Sequence, residues 1–222
     1  VCVDPNDIPC CAIIDAELMY SLPKGTTAAT GMDALTHAIE GYITKAAWEL
    51  SDMFEIEAIR LINKYLRQAV YDPKNPAGRS GMALAQYVAG MAFSNVGLGV
   101  VHGMAHPMGS LFDIPHGVAN ALLLPTIMEY NKPVCIDKYV EIAKAMDAYK
   151  EGMTKAEAAQ AACDAVRALA IEVGIPQHLS DLGITAKDID ALADQAIEDV
   201  CTPGNPRLVT RQDIVELYKK VL

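Results

Sequence analysis

Residues 93–120 read FSNVGLGVVHGMAHPMGSLFDIPHGVAN and hold three of the chain's five histidines. His102 and His106 stand four apart, as neighbours on one helix turn would, and His116 follows after a loop containing Pro107, Gly109 and Pro115. Neutral imidazole is the commonest protein metal ligand, and a glycine-rich approach lets backbone and ligand come close. The stretch therefore reads as half of a metal site. Asp33-x-x-x-His37 in GMDALTHAIEGY offers the other half, a carboxylate and an imidazole on one helix face.

Outward from that stretch the chain is mainly α. The spacing of Leu35, Ile39 and Ile43 predicts a helix from Ala28 to Lys45 with Thr30 able to cap it. A second helix is expected from Glu49 to Tyr71, ended by Asp72-Pro73, and after a DPKNPAGR loop a third from Ser80 to about Phe93. Helices should follow over 117–130 and 136–146. Thr154-x-x-Glu157 is a capping box for an alanine-rich helix that stops at Gly174, and Thr185-x-x-Asp188 and Thr210-x-x-Asp213 should cap two short terminal helices. Only Val1–Asp15, with β-branched runs broken by prolines, suggests one or two brief strands.

With 222 residues the chain can bury roughly 70% of its unfolded surface, so a core forms without staples. It carries 18 basic against 28 acidic residues, net −10, without a Lys/Arg cluster, so no nucleic-acid or anionic-lipid footprint is present. The six cysteines are scattered and form no C-x-x-C, which fits reduced thiols in a cytoplasmic protein. The weakly polar run from Tyr87 to Val101 is interrupted by Ser94, Asn95 and glycines and falls short of a membrane span. Small molecules or protein surfaces are the expected partners.

Asp33, His37, His102 and His116 would form an N3O set with room for a water or substrate oxygen, and an ion held there acts as a Lewis acid. Imidazole plus carboxylate suits Fe(II), Zn, Co, Ni and Mn alike, and spacing does not decide between His102 and His106. A lone Asp-x-x-x-His is a weak signal, most often a surface ion pair. Several imidazoles in apolar segments are a stronger one, because each costs free energy if buried without a partner. His178 reads as an ordinary loop histidine. Phe93, Cys201 and the set Met82, Met91, Met104 and Met108 read by themselves as core, and the acids of the last helices as a solvated face. Gly97-x-Gly99-x-x-x-Gly103 has one residue too many for a dinucleotide fingerprint, and a helical pattern precedes it where a strand is required. A metal-dependent hydrolase or lyase would need a carboxylate base, which no H-E-x-x-H element supplies. A helical module with a structural metal would be closed and sulfur-rich.

Across ATGMDALTHAIEGYIT, LAQYVAGMAFSNVGLGVVHGMAHPMG, PHGVANALLLP, GIPQHL and DVCTPGNPR the sequence resembles the iron-containing (group III) alcohol dehydrogenases. The resemblance implies the helical C-terminal domain of a dehydroquinate-synthase-like fold, over residues 26–222, with 1–25 a remnant of an N-terminal nucleotide-binding α/β domain. It implies Fe2+, or Zn2+ as isolated, on Asp33, His37, His102 and His116, and NAD in the full-length enzyme. It makes His106 a substrate-site residue and proton relay, and places Phe93 near the nicotinamide and Cys201 near the substrate. The implied substrates are short alcohols, diols and aldehydes of the lactaldehyde and 1,2-propanediol type, and the implied assembly is a homodimer. The family's Gly-Gly-Gly-Ser and Thr-Thr-x-Gly-Thr segments are absent, so the expectation is a metal half that turns over poorly alone.

Overall fold

A computed structural model describes Asn6 and residues 8–222, and among these residues there is no strand. Part of the predicted strand region, residues 1–5 and 7, lies outside the described residues. Among the described residues, 8–15 form no strand and lead into a 3-10 turn at Ala16–Met19, since a lone strand without a ladder partner leaves its backbone groups unsatisfied.

The chain then runs through nine α-helices among the described residues: α1 (Lys24–Ile43), α2 (Glu49–Tyr71), α3 (Pro76–Val96), α4 (Val100–Phe112), α5 (His116–Asn131), α6 (Ile136–Ala145), α7 (Lys155–Glu172), α8 (Ile189–Glu198) and α9 (Arg211–Lys220). Helix α1 is the axis of the core. Met32, Leu35, Ala38 and Ile39 are buried on it, and α2, α3 and α5 all pack against it. Helix α4 packs on α5 and α8, and α6 pairs with α7. Among the described residues, no single helix is long and apolar enough to cross a membrane.

Three boundaries depart from expectation for local reasons. Helix α1 starts at Lys24 behind Pro23, and Thr30 lies inside it, with its hydroxyl donating to the Thr26 carbonyl at 2.9 Å. Helix α3 starts within the expected loop, because Pro76 occupies the first helical position, where a missing N–H costs nothing, and Asn75 caps it. Helix α4 continues through Pro107 to Phe112, held by the fully buried Met104 and Met108, so the loop before His116 is only residues 113–115. The Thr185–Asp188 contact forms a turn just before α8, whereas the Thr154 and Thr210 boxes cap α7 and α9 as read.

Gly97, at φ +81°, ends α3 in a conformation that favours glycine, and α4 sets off at 103° to it. That bend turns the histidine-bearing helix back toward α1.

Candidate metal centre

Asp33 and His37 come from α1, His102 from α4 and His116 from the first position of α5. One donor atom from each lies within 4.8 Å of all the others. Close seating of α5 makes this possible: a side chain at Gly117 would meet the Ala29 carbonyl of α1 at 2.6 Å. The structure joins His102, and not His106, to the other three.

The hydrogen bonds fix how the rings present themselves. His37 Nδ1 lies 2.8 Å from the Asp33 carbonyl, which can only accept, so Nδ1 carries the proton and Nε2 is bare. His102 Nδ1 lies 2.7 Å from the Glu40 carboxylate, to which it donates, so in the neutral ring Nε2 is bare. These two bare nitrogens face each other at 3.1 Å. Two lone pairs at that distance repel unless a positive species sits between them. Bonds of about 2.0–2.1 Å at a tetrahedral angle put two ligand nitrogens roughly 3.3 Å apart. The donor set therefore fits a divalent cation.

Burial, then the neighbouring His102, pushes the His37 pKa down to about 4, against the opposing pull of Asp33. His116 is also lowered, chiefly by burial. Both rings are thus neutral, as ligation requires.

Three residues missed in the sequence complete the setting. Glu40 receives His102 Nδ1, and also caps α4 by accepting the Val101 N–H at 2.7 Å and the His102 N–H at 3.3 Å. Its signal was available: it follows His37 by three and Asp33 by seven, on one face of α1. Asn120, four after His116, donates to Asp33 Oδ1 at 2.6 Å and lies 3.0 Å from His116 Nε2, while its own buried carbonyl oxygen has no partner among the described residues. Asp199 left no local signal. It was read with the solvated acids, yet its carboxylate pairs with His106 Nδ1 at 2.7 Å across 93 positions of sequence.

Of the other predicted residues, His106 stacks on His116 with ring centroids 5.4 Å apart, beside the four donors. Phe93 lies on His37 at 4.3 Å and helps line an apolar cavity of about 460 Å³, together with Asp33, His37, Met82 and Gln86. Cys201 is half-buried beside Asp199, and burial pushes its thiol up to about 12, so it remains protonated.

Residues 27–222 match the Fe-containing alcohol dehydrogenase family, C-terminal. The chain belongs to this family. It is 58% identical over 218 residues to lactaldehyde reductase of Escherichia coli (strain K12), covering 98% of this chain and 56% of that protein. The NAD-dependent methanol dehydrogenase of Bacillus methanolicus is 41% identical over 99% of this chain and 58% of its own length. In three dimensions the chain superposes on a crystal structure of 1,3-propanediol oxidoreductase with a TM-score of 0.92 at 45% identity, over 94% of this chain and 55% of that one. The expected helical C-terminal fold of the family is thereby borne out. The chain spans about half the length of the curated relatives it matches.

Proposed function

We propose that residues 26–222 are the metal-holding domain of an NAD(H)-dependent alcohol dehydrogenase for short alcohols, diols and aldehydes, with 1–25 belonging to a cofactor-binding half. One observation carries this reading: Asp33, His37, His102 and His116 converge from three helices with two bare imidazole nitrogens 3.1 Å apart. These four would hold Fe(II), or Zn(II) in its place. When bound, the ion supplies Lewis acidity toward a substrate oxygen, and NAD supplies the hydride acceptor.

The chain's own residues do the rest. Glu40 holds the His102 ring in the tautomer that leaves Nε2 free, and Asn120 steadies Asp33. Phe93, on the cavity wall against His37, limits water beside the site, which supports its place near the nicotinamide. Cys201, a neutral thiol, forms part of the substrate wall. His106 is about one-third exposed, which suits it to take the hydroxyl proton on Nε2 during oxidation and to return it during reduction. The relatives' names, which cover lactaldehyde, methanol and 1,3-propanediol, support a small oxygenated substrate.

Mass spectrometry of the anaerobically purified chain should find about one iron or zinc, lost in both Asp33→Ala and His116→Ala. A chain without metal, or variants that keep it, would remove the basis of the reading. His106→Gln should keep the metal and lower turnover in the whole enzyme, and loss of metal there would make His106 a ligand. The 222-residue chain alone should bind metal and turn over poorly; lactaldehyde reduction with NADH at a full enzyme's rate would contradict the two-part division.

A further inference from the structure

We infer that Asp199 is a positioning residue for His106, holding that ring with its proton on Nδ1 and its Nε2 bare on the opposite edge. The inference rests on the functional reading above and adds to it the group that makes His106 a base rather than a donor.

The geometry is specific. His106 Nδ1 lies 2.7 Å from Asp199 Oδ2, and a carboxylate offers the ring nothing but an acceptor. The other oxygen, Oδ1, is already engaged by the Cys201 N–H at 2.8 Å. Oδ1 is thus taken by the backbone and Oδ2 by the ring, the Cys201 thiol is a further hydrogen-bond partner of the same carboxylate, and among the described residues the only ion pair of Asp199 is with His106.

The carboxylate cannot drift, because the segment that carries it is anchored at several points. Thr202, buried, donates its hydroxyl to the Ala196 carbonyl at 2.6 Å, and its N–H reaches the Asp199 carbonyl at 3.1 Å. Farther along, the Gly204 carbonyl accepts from the Thr44 hydroxyl at 2.9 Å and the Lys45 N–H at 3.0 Å, which ties the segment to the end of α1.

The arrangement repeats one turn along α4. His102 meets Glu40 through Nδ1 at 2.7 Å and keeps Nε2 for the metal donors. His106 meets Asp199 through Nδ1 at the same distance and keeps Nε2 for whatever enters beside it. The two differ in exposure, 2% for the His102 side chain and 33% for His106, as expected if the second ring must meet a substrate.

A second cation at His106, Asp199 and Cys201 is the rival use of these atoms, since their donors also cluster within 4.8 Å. There, however, Asp199 Oδ1 is already taken by the Cys201 N–H and Oδ2 by the His106 ring, whereas the quartet around Asp33 brings two imidazole Nε2 atoms face to face.

Asp199→Asn tests the assignment, because an amide has only one acceptor. The Cys201 N–H is fixed in the backbone and retains the amide oxygen, so the NH2 group faces Nδ1 and His106 must carry its proton on Nε2. Long-range proton–nitrogen spectra of the zinc-loaded, isotope-labelled chain read the tautomer directly, with His106→Gln assigning the signal. The expected result is Nδ1–H in the unmodified chain and Nε2–H in Asp199→Asn, with zinc content and the His102 signal unchanged. In the whole enzyme the same variant should lower kcat about 10- to 100-fold while leaving KM within about threefold. An Nε2–H tautomer in the unmodified chain, which needs no variant to be observed, overturns the inference, as does a tautomer or kcat that does not respond to Asp199→Asn. Failure of the functional reading is separate: it would appear as an unmodified chain that takes up no zinc.

Discussion

Glu40 on α1 and Glu55 on α2 are both buried carboxyl groups, exposed by 1% and 0%, and they have opposite surroundings. Glu40 receives three N–H donors, one of them the ring of His102. Among the described residues Glu55 has no hydrogen-bond partner for either oxygen, and burial, with a smaller push from Asp52, raises it to about 9. The first organises a helix end and the ring of His102. The second is an uncharged acid at neutral pH, packed as though it were apolar. Burial therefore does not make an acid functional; the donors that converge on it do.

Removing Glu40 should have the largest effect. Glu40→Gln takes away one of the acceptors shared by His102 Nδ1 and the α4 amides, and metal affinity should fall about 10- to 100-fold in a chelator competition. Glu40→Ala strands all three donors and should in addition cost the metal-free chain about 3 kcal/mol in urea unfolding. If Glu40→Gln binds metal as tightly as the unmodified chain, the contrast between the two acids has no functional content.

Glu55 should behave in the opposite way. Its folded-state pKa of about 9 lies above the unfolded value of 4.5, so between those limits the folded chain holds a proton that the unfolded chain has released. Stability contributed by that proton is fully present below pH 4.5 and is lost as pH rises toward 9, at up to about 1.4 kcal/mol per pH unit. Glu55→Met should remove this component of the slope and gain about 2 kcal/mol or more at pH 8, with metal content unchanged. Parallel stability curves for the two proteins would mean that Glu55 has a partner in solution.

Much of the contrast was invisible in the sequence, for identifiable reasons. Helix α2 was legible to both ends because its Leu and Ile residues recur with helical period and Asp72-Pro73 stops it. The candidate donor quartet was legible because Asp33 and His37 stand four apart on one helix and the other histidines crowd one glycine-rich apolar stretch, although the choice of His102 over His106 needed the family resemblance. Glu40 was legible in principle, being on the same face as Asp33 and His37. Glu55, between Phe54 and Ile56 in a helix rich in charge, looks like any solvent-side acid; only the packing of α2 on α1 buries it. Asp199 pairs with His106 through the path of the whole chain, which no local pattern encodes. The start of α3 was lost because proline signals both a break and a first turn.

Gly41 joins the two acids, since it follows Glu40 in α1 and faces Glu55 across the helix contact, and it gives the smallest and sharpest test. A methyl group there would overlap the Glu55 carboxyl and come within 3.1 Å of Phe93 Cβ. Against that, alanine inside a helix is favoured over glycine by about 0.5–1 kcal/mol. The carboxyl is the end of a flexible side chain, but both its oxygens are buried and, among the described residues, have no hydrogen-bond partner to move toward. Gly41→Ala in the unmodified chain should therefore cost about 1 kcal/mol net. In a Glu55→Ala background the overlap is gone and only a small adjustment at Phe93 remains, so the same substitution should stabilise by about 0.5 kcal/mol. The double-mutant cycle then yields a coupling of about 1.5 kcal/mol between positions 41 and 55, and metal affinity should stay constant throughout. A coupling near zero would show that Glu55 already lies elsewhere. A change in metal affinity would show that strain at position 41 reaches Glu40, so that the two acids do not act independently.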